Sequence, residues 1–250
     1  MRCLLRLTAL QDQEFNSAYH VKVQGVVYDI LRDAGYETIH DKHPFKFLSF
    51  SCEMPPQDMV EGDTRSFIIA SPNKNLIKDV ASVASGRDLF EPGDRRYRID
   101  DVEVFEDTIP EQGRLITNTP IVVRIPARRC REEYGIDPKG YDDVFWRLDQ
   151  DHSADAFIEE VERNLEAKYE EYYDREPPER PYLTGYQPRK SVAVPVHYDD
   201  RTVMMFGSTW EFDFEAQTRA KQRLIHLGLE SGVGELNTTG FGFMNLKDQV

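Results

Sequence analysis

The spacing of apolar residues switches repeatedly along the first hundred positions, and the order of those switches restricts the fold more than any other feature. Residues 2–9 alternate loosely, as a half-buried strand does. In FNSAYHVKVQGVVYDILRDAG, Val23, Val26, Val27, Ile30, Leu31 and Ala34 recur on one helical face. Asn16 or Ser17 is the expected N-cap of that helix and Gly35 its stop. Strand-like runs follow at Phe45–Glu53 and Arg65–Ser71. A second amphipathic helix then places Leu76, Ile77, Val80, Val83 and Ala84 on one face and ends at Gly86. Tyr97–Phe105 closes the series as a strand.

That order, β-α-β-β-α-β, is the ferredoxin-like arrangement. The second half repeats it less tidily. A strand over Leu115–Ile125 is interrupted by Pro120, and a helix is expected near Ala154–Tyr173. After a proline-rich segment (Pro177, Pro178, Pro181), SVAVPVHY and TVMMFGSTWEFDF read as a hairpin turning at Asp199–Asp200. Ala216–Leu227 is a helix and Phe241–Leu246 a last strand. The expected fold class is therefore α+β, with two tandem ferredoxin-like domains, each built on an antiparallel sheet. The expected division is residues 1–112 and 113–250, with the boundary near Glu111–Gly113.

Net charge bears on what such a chain binds. It is −14, from 45 acidic and 31 basic residues, which taken plainly repels nucleic acid. The acid is spread along the whole chain, however, and arginine outnumbers lysine, a balance like that of proteins adapted to a salt-rich cytoplasm. At 1 M salt the Debye length is about 3 Å, so net charge acts weakly and a nucleic-acid site has to be local. No apolar run is long enough for a membrane span, and Cys3, Cys52 and Cys130 are too far apart for a CxxC pair. A soluble, cytoplasmic protein is expected.

Near the C-terminus, ESGVGELNTTGFGFMNL places Gly232, Gly234, Gly240 and Gly242 within a few residues of one another. A dinucleotide fingerprint requires the order strand, glycine turn, helix, and here the order is helix, loop, strand. A P-loop would need GK[ST], which is missing. What is left is a glycine-rich loop between a helix and a strand. Such a loop can be a plain tight turn, or a surface whose N–H groups meet phosphate oxygens. Asn237, Thr238 and Thr239 within the same span favour the ligand surface.

The spacing Gly232-Val-Gly234 followed by Gly240-Phe-Gly242 resembles the C-terminal glycine-rich loop of the CRISPR-associated endoribonucleases that process repeat RNA, members of the RAMP superfamily. At the other end, YHVKVQGVVYDIL is similar to that family's first helix, and IHDKHPFKFLSFS to its histidine-bearing turn and following strand. The middle, roughly 110–190, matches by pattern of elements alone. The resemblance implies metal-independent cleavage of precursor CRISPR RNA within its repeats, giving a 2′,3′-cyclic phosphate and a 5′-hydroxyl. It assigns His40, Tyr28 and Lys46 to catalysis. It also implies partnership with a crRNA-guided interference complex.

The chemistry suits those residue types. Cleavage without a metal needs deprotonation of the 2′-OH, stabilisation of charge on the phosphate and protonation of the departing oxygen. Histidine titrates near neutrality, lysine supplies positive charge, and tyrosine holds or shares a proton, although a pKa of about 10 makes it a poor base. His43 is the rival to His40, whose six-residue offset from Lys46 fits the family pattern. Each residue also has a plain alternative: a solvated histidine, a tyrosine closing an apolar face, a charge on an edge strand. No HExxH or ligand-spaced cluster is present, and neither metal nor cofactor is expected. For RNA contact, RIPARRCR offers Arg124, Arg128 and Arg129, against the alternative of ordinary charge balance in an acidic chain. A non-catalytic subunit that binds repeat RNA without cutting it is the competing function, and a ferredoxin-like scaffold whose loop only turns the chain is a third.

Overall fold

The computed structural model describes residues 1–15, 19–37, 45–150, 152–197 and 201–247. Asn16 and Ser17, His40 and His43, and the hairpin tip at Asp199–Asp200 lie outside them.

The first half contributes β1 (Arg2–Ala9), α1 (His20–Asp33), β2 (Ser49–Phe50), β3 (Thr64–Ala70), α2 (Lys74–Ser85), β4 (Leu89–Phe90) and β5 (Tyr97–Phe105). They form one sheet in the order β2-β3-β1-β5-β4, with antiparallel pairings throughout. Setting aside the two-residue β4, which had no sequence signal, this is the ferredoxin-like strand order. The helices cover one face. Val23, Val27 and Ile30 of α1 and Leu76, Ile77, Val80 and Ala84 of α2 bury against Cys3, Leu5 and Leu7 of β1 and Phe67 and Ile69 of β3. Gly35 ends α1 with φ +85, and the Tyr36 N–H reaches back to the Leu31 carbonyl, a left-handed close that glycine adopts without strain. Asn73 caps α2 by accepting from the Asn75 and Leu76 N–H groups.

The long strand expected over Phe45–Glu53 is reduced to Ser49–Phe50. Phe47 sits at φ +47, which a β-strand cannot contain, so regular pairing starts after it. Beyond Phe50 the contact with β3 continues through a bond from the Ser51 N–H to the Ile68 carbonyl and a bridge from Met54 to Ser66.

The second half is built from β6 (Gln112–Thr117), β7 (Arg124–Pro126), α3 (Ala127–Glu132), β8 (Asp143–Phe145), α4 (Ala154–Tyr173), β9 (Leu183–His197), β10 (Thr202–Glu215), α5 (Arg219–Ser231) and β11 (Met244–Leu246). Its main sheet runs β11-β6-β10-β9. Counting β6, β9, β10 and β11 as first to fourth strands, the order is again ferredoxin-like, with α4 and α5 as the two helices. The Leu115–Ile125 segment splits around Pro120 into β6 and β7, and β7 pairs with β8 in a small separate ribbon. The prolines of the hairpin, Pro188 and Pro195, fall on β9 at the sheet edge, where a missing N–H is tolerated. Trp146, Phe157 and Trp210 pack at the centre of this core with ring centroids 4.4–5.6 Å apart, Phe157 stacked on Trp210 and Trp146 tilted against both.

The two halves are joined by buried polar contacts. Arg2, in β1, donates to Asn245 Oδ1 (2.7 Å), the Leu229 carbonyl (2.9 Å) and the Met244 carbonyl (2.6 Å), and pairs with Asp107. Ser49 Oγ donates to the Glu230 carbonyl, and the Cys52 N–H to Asn118 Oδ1. The region around α5 and β11 is thereby fixed to the edge of the first sheet. Among the described residues no helix is long and apolar enough to cross a membrane.

Candidate functional site

The glycine-rich segment leaves α5 at Gly232, makes a single 3-10 turn over Asn237–Thr239 and enters β11 at Met244. Gly232, Gly234, Gly240 and Gly242 all take positive φ and are all buried. A Cβ on Gly242 would lie 1.9 Å from the Val233 carbonyl oxygen, and one on Gly234 would lie 2.5 Å from that of Val122. A Cβ on Gly240 would meet the Phe50 ring at 2.7 Å. The glycines therefore set the path of the loop and let it approach its neighbours, while its outward edge is Glu235, Leu236, Asn237 and Thr238. The loop is closed by the Val233 N–H on the Gly242 carbonyl (2.9 Å) and the Glu235 N–H on the Val122 carbonyl (2.9 Å).

Helix α1 grips this loop from the first half of the chain. His20 Nδ1 lies 2.9 Å from the Thr239 carbonyl, and Gln24 Nε2 donates to the Thr238 carbonyl at 2.9 Å. The His20 ring is sandwiched between Tyr19 (4.2 Å) and Phe241 (4.1 Å, nearly parallel). Burial lowers its pKa to about 4, so at neutral pH it is uncharged, with Nδ1–H the donor to Thr239. One turn beyond Gln24 on the same face, the half-buried Tyr28 hydroxyl faces the side chains of Thr238 and Gln24. Burial raises its pKa above the ordinary value, so Tyr28 stays protonated at neutral pH and can hold or donate a proton but not serve as a base.

Helix α4 grips the loop from the other side. Lys168 is 2 % exposed, and its Nζ donates to the Gly232 carbonyl and to Asn237 Oδ1, each at 2.7 Å. The same ammonium stands 5.8 Å from the centre of the Phe45 ring, next to Lys46. Lys46 is half-buried at the entry to β2.

Of the residues singled out in the sequence, the structure brings Tyr28 to the glycine-rich loop. It places Phe45, the neighbour of Lys46, against Lys168 beneath the same loop. His40 and His43 are outside the described residues. Three arginines of RIPARRCR, Arg124, Arg128 and Arg129, have carboxylate partners. Arg124 Nε bonds Glu235 Oε2 at 2.6 Å, Arg129 bonds Glu160 at 2.6 Å, and the exposed Arg128 bonds Glu132 at 2.9 Å. Arg124 and Glu235 tie β7 to the loop, so part of that cluster borders the same surface. Among the described residues no three His, Cys, Asp or Glu side chains are grouped to hold a metal ion.

Sequence reasoning assigned no role to His20 or Lys168. A signal was present for both. His20 precedes Val23, Val27 and Ile30 at the spacing of the α1 apolar stripe, and Lys168 follows Ile158, Val161 and Leu165 in the same way on α4. A polar residue in register with an apolar stripe is buried, and a buried polar group has to find a partner.

Residues 105–246 match the family model described as CRISPR associated protein Cas6, C-terminal. A Haloferax mediterranei protein named CRISPR-associated endoribonuclease Cas6 is 30% identical over 260 residues, covering 100% of this chain and 95% of its own length. A Methanocaldococcus jannaschii protein named CRISPR-associated endoribonuclease Cas6 2 is 27% identical over 256 residues, covering 98% of this chain and 99% of its own. A solved structure described as CRISPR associated protein Cas6 shares the fold with a TM-score of 0.71 at 18% identity, over 99% of both chains. A tandem ferredoxin-like fold, a glycine-rich loop held between α1 and α4, and relatives matched along the whole chain give one conclusion: this protein belongs to the Cas6 family of CRISPR-associated proteins.

Proposed function

We propose that this chain is a CRISPR repeat-RNA endoribonuclease that works without a metal. In this reading the 2′-OH at the cut position attacks the adjacent phosphate, leaving a 2′,3′-cyclic phosphate and a 5′-hydroxyl. His40 takes the 2′-OH proton or protonates the departing oxygen, Lys46 stabilises charge on the phosphate, and Tyr28 orients the 2′-OH as a protonated hydrogen-bonding group. The outward edge of the glycine-rich loop lies along the RNA backbone, with Arg124, Arg128 and Arg129 flanking it. Repeat RNA is the ligand, and other subunits of a crRNA-guided interference complex are its partners.

The observation that carries this reading is the contact of Tyr28 with Thr238. It joins a residue of the expected catalytic set to the loop expected to bind RNA, across the two halves of the chain. The full-length similarity to proteins named Cas6 endoribonucleases supports the same assignment. The Tyr28 pKa, raised by burial, leaves the proton-transfer role to the histidine, whose unperturbed pKa is about 6.5.

The test is cleavage of repeat RNA by the purified protein, with a 2′-deoxy substitution at the cut position as control. Cleavage that is lost with the deoxy substrate and falls by about two to four orders of magnitude in His40→Ala supports the proposal. Undiminished cleavage in His40→Ala moves the proton-transfer role to His43. Tight binding without cleavage makes the protein a non-catalytic repeat-RNA subunit.

A further inference from the structure

We propose that Lys168 is the positioning residue of the glycine-rich loop, holding its outward edge in register with the site around Tyr28. The inference rests on the repeat-RNA reading above and adds to it a residue on the opposite half of the chain.

The case is geometric. Lys168 projects from the last turns of α4 into the closed ring of residues 232–242, where it meets two acceptors at hydrogen-bond distance. One is the Gly232 carbonyl, at the point where α5 ends and the loop begins. The other is Asn237 Oδ1, at the start of the 3-10 turn. Asn237 in turn donates through Nδ2 to the Val233 carbonyl (3.0 Å) and to the Phe241 carbonyl (3.0 Å), so it spans both arms of the loop. Both partners of Nδ2 are carbonyls, so the NH2 end of the amide has to bridge the arms, and Oδ1 is left to accept from Lys168. Gly232 and Gly242 make room for this amide. A Cβ on either would come within 2.8 Å of Asn237 Nδ2.

The residues that follow Asn237 are those α1 holds. Thr238 and Thr239 offer their carbonyls to Gln24 and His20, and the Thr238 side chain meets Tyr28. A chain of direct contacts thus runs from Lys168 through Asn237 to Tyr28. Lys168 also faces Phe45, next to Lys46, so it touches the segment that carries the second residue of the expected site. Glu235 is the opposite charge that bears on it, and burial outweighs that attraction, lowering its pKa to about 7. The two hydrogen bonds do not require the positive charge, since a neutral amine still donates both.

The experiment compares wild type, Lys168→Met, Asn237→Ala and the double variant by single-turnover cleavage of repeat RNA at saturation. Product length and the amide exchange of Val233 and Gly242 are read in parallel. A loop shifted by a fraction of an ångström is expected to slow the saturated rate by about tenfold or more and to add products cut at neighbouring nucleotides. RNA affinity is expected to change by less than about threefold, and the double variant to be no slower than Lys168→Met. Loop amides should exchange faster in Lys168→Met with or without RNA, which tests the positioning even if wild type proves unable to cleave. Should Lys168→Met fail to fold, Lys168→Gln, which keeps one donor group, is read in the same way. A folded variant with wild-type cut position and wild-type loop exchange overturns the proposal. Absence of cleavage by wild type, with faster loop exchange in the variant, overturns the functional reading and leaves the loop assignment standing.

Discussion

Helices α1 and α4 belong to different halves of the chain, and each presses one buried basic residue against the same loop. On α1 the residue is His20, at the N-terminal end of the apolar stripe. On α4 it is Lys168, at the C-terminal end. The histidine is held by stacking between Tyr19 and Phe241 and makes one bond to the loop, across the junction of the two halves. The lysine makes two bonds to the loop within its own half and acts through Asn237 on the loop's internal shape. The difference separates two tasks. One helix places the loop relative to the first domain, and the other sets its form.

The largest effect should come from removing what both helices hold. Gly242→Ala places a Cβ on the Val233 carbonyl at a residue with φ +70, so relief requires backbone movement. A loss of about 3 kcal/mol or more in unfolding free energy is expected by denaturant titration. Gly240→Ala, whose Cβ meets the Phe50 ring rather than backbone, should lose less and should mainly loosen the contact with α1. Equal losses for the two would remove the distinction between shaping and placing.

Next comes the titration of Lys168. Its pKa is lowered by burial from 10.5 to about 7, so between those values the unfolded chain binds the proton and the folded one does not. Stability from this group therefore rises with pH across that window, by up to about 1.4 kcal/mol per pH unit, and is lost as pH falls toward 7. The difference between wild type and Lys168→Met, measured by thermal unfolding from pH 7 to 10, should show that slope.

His20 obeys the same sign in a narrower window. With a folded pKa of about 4 against 6.5, its contribution is complete above pH 6.5 and is lost as pH falls through 4. His20→Phe should keep the ring stack, lose about 1 kcal/mol for the missing bond at neutral pH, and flatten the acid limb. An unchanged acid limb would mean that His20 is not the buried base described here.

The smallest effect is expected at Arg128. Its exposed pair with Glu132 should be worth less than about 0.5 kcal/mol, so Arg128→Ala leaves stability unchanged. If it flanks the RNA as proposed, the salt dependence of binding should drop by about one phosphate contact.

Much of the fold was readable because the apolar periods were clear. Val23, Val27 and Ile30 mark α1, and Val80 and Ala84 mark α2, each ended by its glycine. The ribbon of β7 and β8 with α3 between them was not. Its elements are three to six residues long, too short for a period to register, and RIPARRCR read as a charge cluster rather than a helix start. The strand after Phe45 was overestimated because alternating phenylalanines look like a strand whether or not the backbone permits one. The glycine loop was legible as a special turn. That its glycines are buried and its contact edge lies at 235–238 depends on packing that spacing cannot reveal. Lys168 stood among acidic residues, in EAKYEEYY, where a buried lysine reads as one more charge of a solvated face.

The proposed site is joined across the two halves and would cut RNA by internal attack. The direct measurement is the chemical identity of the ends produced when wild-type protein is incubated with repeat RNA in excess EDTA. A 2′,3′-cyclic phosphate on the upstream fragment and a 5′-hydroxyl on the downstream one are predicted. Intact RNA, or cleavage restored only by added Mg²⁺, would contradict the account.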